Sequence, residues 1–472
     1  MIEEVRSELK HLKAENAQLR EENGRLKAEN AKLRTRVSEL EDKLNQNSRN
    51  SHLPPSRDPA SIKAAIPRKK GKRKKKKKKG HQGGTLLKIE QADDCIDLKA
   101  TQCGCGYNLS GEKQQIIDTR QVFDIPPIKL SVKEYRLMQC QCPKCHRMNL
   151  GKFPQYVTAP AQYGPNLKAL TVLLNADGKL PLNKIVSLFK DLFNISINEN
   201  TLLEATNKCY KLLEPFEKEI RSLLPQEKVM HLDETGLLIN LDLYWMHGMC
   251  TERLTFLRVH PNRGMEALKE VSDVLNPFKG TLIHDFFKVY FRLSIDKHGM
   301  CGAHILRELQ QLIDQGSKWA VKVHNLIMEM FLNATTKNIR LKTQLLSRYS
   351  RHLREGFKEE PPPQKSNRGR DKRSKGLNLL LRLKEFKKEV TAFAFDKDIP
   401  FTNNTVEREM RHPKTKLKVS GCFRSILGAH WCARIMSFIS TLRKNNQDVY
   451  SSLCQLFSRS YTFKLNEYSG AK

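Results

Sequence analysis

Two adjacent carboxylates, Asp233 and Glu234, stand inside His231-Leu232-Asp233-Glu234-Thr235-Gly236, directly after Gln226-Glu227-Lys228-Val229-Met230. An apolar-rich run that ends at a turn-forming glycine reads as a buried strand. Alternation then sends Val229, His231 and Asp233 to one face and Met230, Leu232 and Glu234 to the other. A carboxylate carried into a core is costly unless it is hydrogen-bonded or holds a cation. Asp233 is therefore a candidate first ligand of a divalent-metal site, against the plainer role of an acid closing a turn. A second acid, Asp285, ends the strand-like Gly280-Thr281-Leu282-Ile283-His284-Asp285. A third, Glu407, opens a helical run behind Phe401-Thr402-Asn403-Asn404. Either Asn403 or Asn404 can cap that helix. His231 and His284, each close to one of the acids, read as core or supporting residues before catalytic ones.

Cysteines offer a different chemistry. Cys103-Gly104-Cys105 and Cys142-Pro143-Lys144-Cys145 form two knuckles, with strand-like segments at Arg120–Ile125 and Val132–Met138 between them. Four thiolates around one Zn²⁺ can replace a core too small to fold alone, which describes a zinc ribbon. Cys103, Cys105, Cys142 and Cys145 are the expected ligands, with Cys140 or Cys95 as substitutes. Cys301 and His304, three residues apart, share one helix face. No two further ligands are evident there, so a packed thiol with a hydrogen-bonded imidazole is the expectation.

The elements that must position these residues can be read in outline. Leu243–Cys250 and Leu254–His260 follow the Asp233 strand as a meander. A helix from Gly264 to about Val274 then crosses over to the strand ending at Asp285, which the crossover sets parallel to the first. This is the first half of an α/β ribonuclease-H-like core, expected over residues 227–300 and resumed over 396–450. An all-α insertion over 301–395 separates the halves, and 451–472 is read as a C-terminal tail. Upstream, 151–226 is helical, and Leu182–Leu192, a turn near Asn194 and Asn198–Leu212 are compatible with a helix-turn-helix or with generic packing.

The N-terminal third is of another kind. Val5, Leu12, Leu19, Leu26, Leu33 and Leu40 recur every seventh residue, with Leu9, Asn16, Asn23, Asn30, Val37 and Leu44 at the other seam position. Leucine opposite a partly asparagine seam reads as a two-stranded leucine-zipper coiled coil over 1–46, and so as at least a homodimer. Residues 47–86 read as a disordered basic linker in which Arg68–Lys79 is Lys or Arg at every position but Gly71. A zinc-ribbon-like domain over 87–150 follows. The whole chain of 472 residues carries 84 Lys+Arg against 51 Asp+Glu, a formal charge of +33. A field of that size and sign points to a polyanion, nucleic acid before an anionic membrane surface. No apolar run is long enough to span a bilayer. The expected compartment is therefore a reducing cytoplasm, in which the twelve cysteines are thiols or metal ligands.

Taken together, Asp233-Glu234-Thr235-Gly236, Val259-His260-Pro261-Asn262-Arg263-Gly264, Ile283-His284-Asp285, Cys301-Gly302-Ala303-His304, Asn403-Asn404 with Glu407-Arg408, and Lys418–Ser425 resemble, in order and spacing, the transposases of the bacterial insertion sequence 66 family. The zipper, the linker running into Gly80-His81-Gln82-Gly83-Gly84 and the cysteine knuckles are similar to the same family. The resemblance implies a DDE transposase in the bacterial cytoplasm, associated with the nucleoid. It implies a triad of Asp233, Asp285 and Glu407 holding two Mg²⁺ ions (or Mn²⁺), since hard cations and phosphodiester displacement call for carboxylate oxygens. Element ends and target DNA are the expected partners, together with accessory proteins of the same element. Arg408, Arg411, Lys416 and Lys418 are candidates for holding DNA phosphates, or else a solvated face. The alternative reading is a transposon-derived DNA-binding protein that has lost catalysis.

Overall fold

The computed structural model describes residues 2–51, 58, 86–125, 128–363 and 373–462. The basic block Arg68–Lys79 lies outside the described residues, as do most of the basic stretch after Pro363 and the last ten residues. Helix α1, Ile2–Leu44, runs through the heptad region, with Leu12, Leu19, Leu26, Leu33 and Leu40 all exposed along it. The linker was expected to be disordered from residue 47, but its start is a folded turn. Asn47 N donates to Asn50 Oδ1 at 2.8 Å, Ser48 N donates to Asp58 Oδ1 at 2.7 Å, and Asn50 Nδ2 donates to Asp314 Oδ2 at 2.9 Å. Short polar side chains satisfy backbone groups locally here, which is what Asn, Ser and Asp do at helix ends.

In the cysteine region the paired strands are β1 (Gln139–Gln141) and β2 (Met148–Leu150), joined antiparallel across the second knuckle. Arg120–Ile125 and Val132–Met138 are not strands. Their alternation finds no opposing face: Val122, Ile125 and Val132 are 88%, 74% and 87% exposed. Moreover, Pro126-Pro127 supplies no N–H for a ladder.

Ahead of the sheet lie helices α2 (Pro165–Val172), α3 (Leu182–Phe193), α4 (Glu199–Leu212) and α5 (Glu214–Leu223). Asn194 ends α3 in the left-handed conformation, and the Asn198 side chain accepts from Asn200 N to start α4, so the expected break is made by two asparagines. The sheet follows, with β3 (Val229–Ile239), β4 (Asp242–Cys250) and β5 (Thr255–His260) as an antiparallel meander. The crossover is two short helices, α6 (Met265–Lys269) and α7 (Ser272–Leu275), rather than one. β6 (Thr281–His284) lies parallel to β3. A further strand not foreseen from sequence, β7 (Lys297–Met300), lies parallel to β6, and the order across the sheet is β5-β4-β3-β6-β7. Only four residues long and half glycine and lysine, β7 carries no pattern that sequence reading detects.

The sheet is covered on both faces. Met230, Leu232, Met249 and Phe256 face a core built with Ile220, Leu275, Tyr290 and Phe438. Leu237, Ile239, Met246, Leu257 and Val259 face Val406, Met410, Ala433 and Met436. Helices α8 (Gly302–Asp314), α9 (Lys318–Leu332), α10 (Ile339–Glu359), α11 (Lys375–Glu385) and α12 (Lys387–Phe395) form a second core around Trp319, Tyr349 and Leu380. The chain then returns to the sheet as α13 (Asn404–Ser420) and α14 (Ile426–Lys444). The stretch read as a tail begins inside α15 (Val449–Phe457), whose Leu453, Leu456 and Phe457 join the first core.

Candidate active site

β3 delivers its two acids to opposite surroundings, as alternation requires. Glu234 points into the Tyr290 side of the sheet. Its side chain is 1% exposed, and Arg263 binds it through Nη2 at 2.5 Å and Nε at 2.7 Å. Tyr290 Oη donates to its other oxygen. The Arg263 guanidinium in turn lies 4.2 Å from the centre of the Phe287 ring and 4.9 Å from that of Trp245. Burial still raises the Glu234 pKa, but the Tyr290 and Arg263 bonds oppose that rise. Glu234 is thus a paired, buried acid. Arg263 has no role legible in the sequence, because its partner Glu234 lies 29 residues away.

Asp233 has no such compensation. Its Oδ1 accepts from the adjacent Glu234 N at 2.9 Å. Burial pushes its carboxyl up to about 8, and the negative charges of Glu234, Asp285 and Glu407 push the same way. The register explains how Asp285 comes near. His231 pairs with Ile283 across β3 and β6, so two residues further on each parallel strand Asp233 comes level with Asp285. Asp285 itself accepts from Phe287 N at 2.9 Å, a turn that closes the end of β6.

Glu407 arrives from the far side of the helical insertion. Across the β3–β4 ladder Asp233 is paired with Gly248. A Cβ on Gly248 would stand 2.1 Å from Met410 Cε and 2.9 Å from Val406 Cγ2. Glycine at 248 therefore lets α13 lie directly on the strand beside Asp233, with Val406 and Met410 buried and Glu407 between them on the helix. The first turn of α13 is fixed by Asn403, which is 1% exposed. Of the two asparagines able to cap the helix, Asn403 takes the N-cap position, but its side chain makes no capping bond. Its Nδ2 donates to Leu232 O at 2.8 Å, and its Oδ1 meets His231 Nδ1 at 2.9 Å. With Nδ2 donating, Oδ1 accepts, so Nδ1 is the protonated nitrogen of His231. Burial brings that imidazole down to about 4 and keeps it neutral. Asn403 O also accepts from Glu407 N at 3.2 Å. Asn403 thus clasps the Glu407 helix to the Asp233 strand, a role no local pattern announces.

On the same helix, Arg408, Arg411 and Lys418 are exposed, while Lys416 is half-buried and donates to Asn175 Oδ1 at 3.2 Å. Glu409 faces away, with Lys444 Nζ at 4.0 Å. Cys301 and His304, whose sequence surroundings offer no two further ligands, meet one in space, because Glu407 lies against both. His284 is fully buried and bonded to His298 at 2.9 Å.

The cysteine knuckles are formed as two separate turns. In the first, Cys103 N donates to Tyr107 O at 2.9 Å and Gly106 takes a φ of 93°. In the second, Cys142 N donates to Arg147 O and His146 N to Cys142 O, both at 2.9 Å. The Cys105 thiol is brought below its ordinary pKa by the Tyr107 amide and by Cys103. Cys142 is brought down by the amides of Cys145 and Lys144 and by the Cys145 side chain. Amides aimed at a sulfur are what a metal-binding knuckle requires, so both turns fit Zn²⁺. The four sulfurs do not converge as one set: among the described residues the grouped metal-type ligands are Cys301, His304 and Glu407.

Against known families, the model described as "Transposase IS66 family" matches residues 160–431, more than half of the chain and the whole of the sheet with its three acids. The chain belongs to the IS66 transposase family. The zinc-finger binding domain of transposase IS66 matches residues 100–146, across both knuckles, and a family of unknown function matches 2–87. No curated protein matches the chain. No helix among the described residues is long and apolar enough to cross a membrane.

Proposed function

We propose that this IS66-family chain is a DDE transposase that cleaves DNA at its element ends and joins it to target DNA, using Asp233, Asp285 and Glu407 on a ribonuclease-H-like core. The observation that carries the reading is electrostatic: together with Glu234, the charges of Asp285 and Glu407, from distant parts of the chain, act against ionisation of a buried Asp233 that has no ion-pair partner among the described residues. The surplus negative charge of such a cluster is relieved by divalent cations. The strand order β5-β4-β3-β6-β7, with acids on adjacent parallel strands, supports the fold assignment.

Bound Mg²⁺ supplies a polarised phosphoryl oxygen and an activated water or 3′-hydroxyl. The protein's own part is positioning. Asp233 and Asp285 hold their carboxylates level on adjacent strands, and Asn403 holds the Glu407 helix against them. Arg408, Arg411 and Lys418, exposed on that helix, are set to take DNA phosphates. The remaining assignments follow the same reading. The cysteine knuckles carry a structural zinc, the basic linker adds non-specific phosphate affinity, and the exposed leucines of α1 pair with a second subunit. That pairing lets one assembly hold two element ends. Residues 301–395 are an all-α insertion between the two parts of the core.

The test is Mg²⁺-dependent nicking of DNA carrying the element ends. Glu407→Gln keeps the size of the side chain and removes its charge. It should lower cleavage by at least roughly 10³-fold with DNA affinity unchanged within about twofold. Cleavage by the variant at the wild-type rate would remove Glu407 from the triad. Wild-type DNA binding without any nicking would favour the catalytically inactive alternative.

A further inference from the structure

Cys301 and His304 take no part in the reaction just proposed, yet they are built into its site. β7 ends at Met300, and Cys301 N donates to His284 O at 3.0 Å, beside Asp285. One turn later, on the first turn of α8, His304 turns to the same side. Cys301 Sγ lies 3.8 Å from Glu407 Oε1, and His304 Nδ1 lies 3.9 Å from the same oxygen. All three ligand atoms fall within 4.8 Å of one another. The cysteine is 1% exposed, whereas the His304 and Glu407 side chains are 19% and 16% exposed, so the open side of the cluster is reached past them.

Zinc–ligand bonds of about 2.0–2.3 Å in a tetrahedron hold ligand atoms roughly 3.3–3.8 Å apart. The spacing found here needs only small side-chain rotations to match. The donor set also discriminates between metals. A thiolate and an imidazole suit Zn²⁺, and a thiolate is a poor ligand for Mg²⁺. Asn403 N, 3.2 Å from Cys301 Sγ, is in place to stabilise the thiolate.

We propose that Cys301, His304 and Glu407 form a zinc-selective site that shuts the enzyme off. Zinc loading displaces the thiol proton to water and draws the Glu407 carboxylate to the zinc, with water as the fourth ligand. Glu407 is then withdrawn from the Asp233–Asp285 pair, and Mg²⁺-dependent cleavage stops. The inhibitory role rests on Glu407 being the third acid; the binding site does not.

The first arm uses the full-length protein, zinc-loaded at its knuckles, titrated with Co²⁺ and followed by absorbance. Wild type should gain one thiolate-to-cobalt charge-transfer signal per chain that is absent from Cys301→Ser. His304→Ala should bind at least roughly tenfold more weakly. Exchange at the knuckles would appear equally in all three proteins, and coincident spectra would overturn the site. Should Cys301→Ser melt early, His304→Ala, at the more exposed ligand, decides alone. The second arm measures cleavage at fixed Mg²⁺ with added Zn²⁺, each protein compared with its own zinc-free rate. His304→Ala should need at least about tenfold more zinc for half-inhibition. Equal sensitivity would mean that zinc acts at the Asp233–Asp285 pair, and the inhibitory role would fall. Absence of cleavage by wild type before any zinc is added would instead count against the transposase chemistry, since the cobalt signal needs no turnover.

Discussion

Asp233 and Glu234 are neighbours on one strand, equally acidic and both buried, yet their surroundings differ in kind. Glu234 is met by a guanidinium and a phenol. Asp233 is buried, and the charges of Glu234, Asp285 and Glu407 all act against its ionised form. A buried acid with its charge answered belongs to the architecture. One whose charge is compounded by like neighbours is unstable by itself and has a use for a metal. The contrast predicts that substitutions at the two positions act in opposite directions on stability.

The largest effect is expected at Asp233 and depends on pH. Its folded pKa is raised to about 8, against about 3.9 in the unfolded chain. Between those values the folded state holds the extra proton, so stability falls as pH rises through that window. Asp233→Asn removes this liability. The metal-free variant should therefore match wild type near pH 4 and melt increasingly above it toward pH 8. Adding Mg²⁺ should close the gap at pH 8 by stabilising wild type alone. Parallel melting curves for the two proteins across pH 4–8 would show that Asp233 is not destabilised by its neighbours.

Arg263→Ala probes the other side of the strand. It leaves Glu234 buried without its cation and strips the guanidinium from the rings of Trp245 and Phe287. A loss of about 2–4 kcal/mol is expected, moderated because Glu234 can take up a proton and keep its Tyr290 bond. Chemical denaturation measures it. The loss should shrink in the double variant with Glu234→Gln, which has no charge to strand. A full, additive loss in the double variant would mean that Arg263 works through the aromatic rings alone.

What the sequence revealed about these regions follows from the range of each interaction. The Asp233 strand, the meander and the parallel strand before Asp285 were legible because alternation and turn residues act over a few positions. The three acids rest on the resemblance to the insertion sequence 66 family rather than on any one local pattern. The asparagine clasp was not legible, because Asn403 reads locally as a helix cap and only the fold brings Leu232 O and His231 to it. Nor was the meeting of Cys301 and His304 with Glu407, which joins two ends of a long insertion. The strands expected at Arg120–Ile125 and Val132–Met138 failed for the converse reason. Their pattern is right, but no apolar face opposes them.

Asn403 offers the finest test of how the two faces are held together. Removing its amide in Asn403→Ala orphans Leu232 O and His231 Nδ1 in the interior, at a cost of about 1–3 kcal/mol. Stability alone does not distinguish a clasp from any buried polar residue. The functional consequence does, because Asn403 stands one helical turn before Glu407 and its amide is the tie between that turn and β3. A shift of the carboxylate by about 1 Å is enough to cost up to about 10²-fold in rate. At a temperature well below its melting point, Asn403→Ala should therefore cleave about 10–100-fold more slowly while binding DNA as wild type does. Phosphate contacts from exposed arginines and lysines do not depend on the clasp, so the salt dependence of binding should be unchanged. If cleavage falls only by the fraction of molecules unfolded, Asn403 is packing and the helix is held by Val406 and Met410. If DNA affinity falls in step with cleavage, the clasp shapes the basic face of α13 rather than the position of its acid.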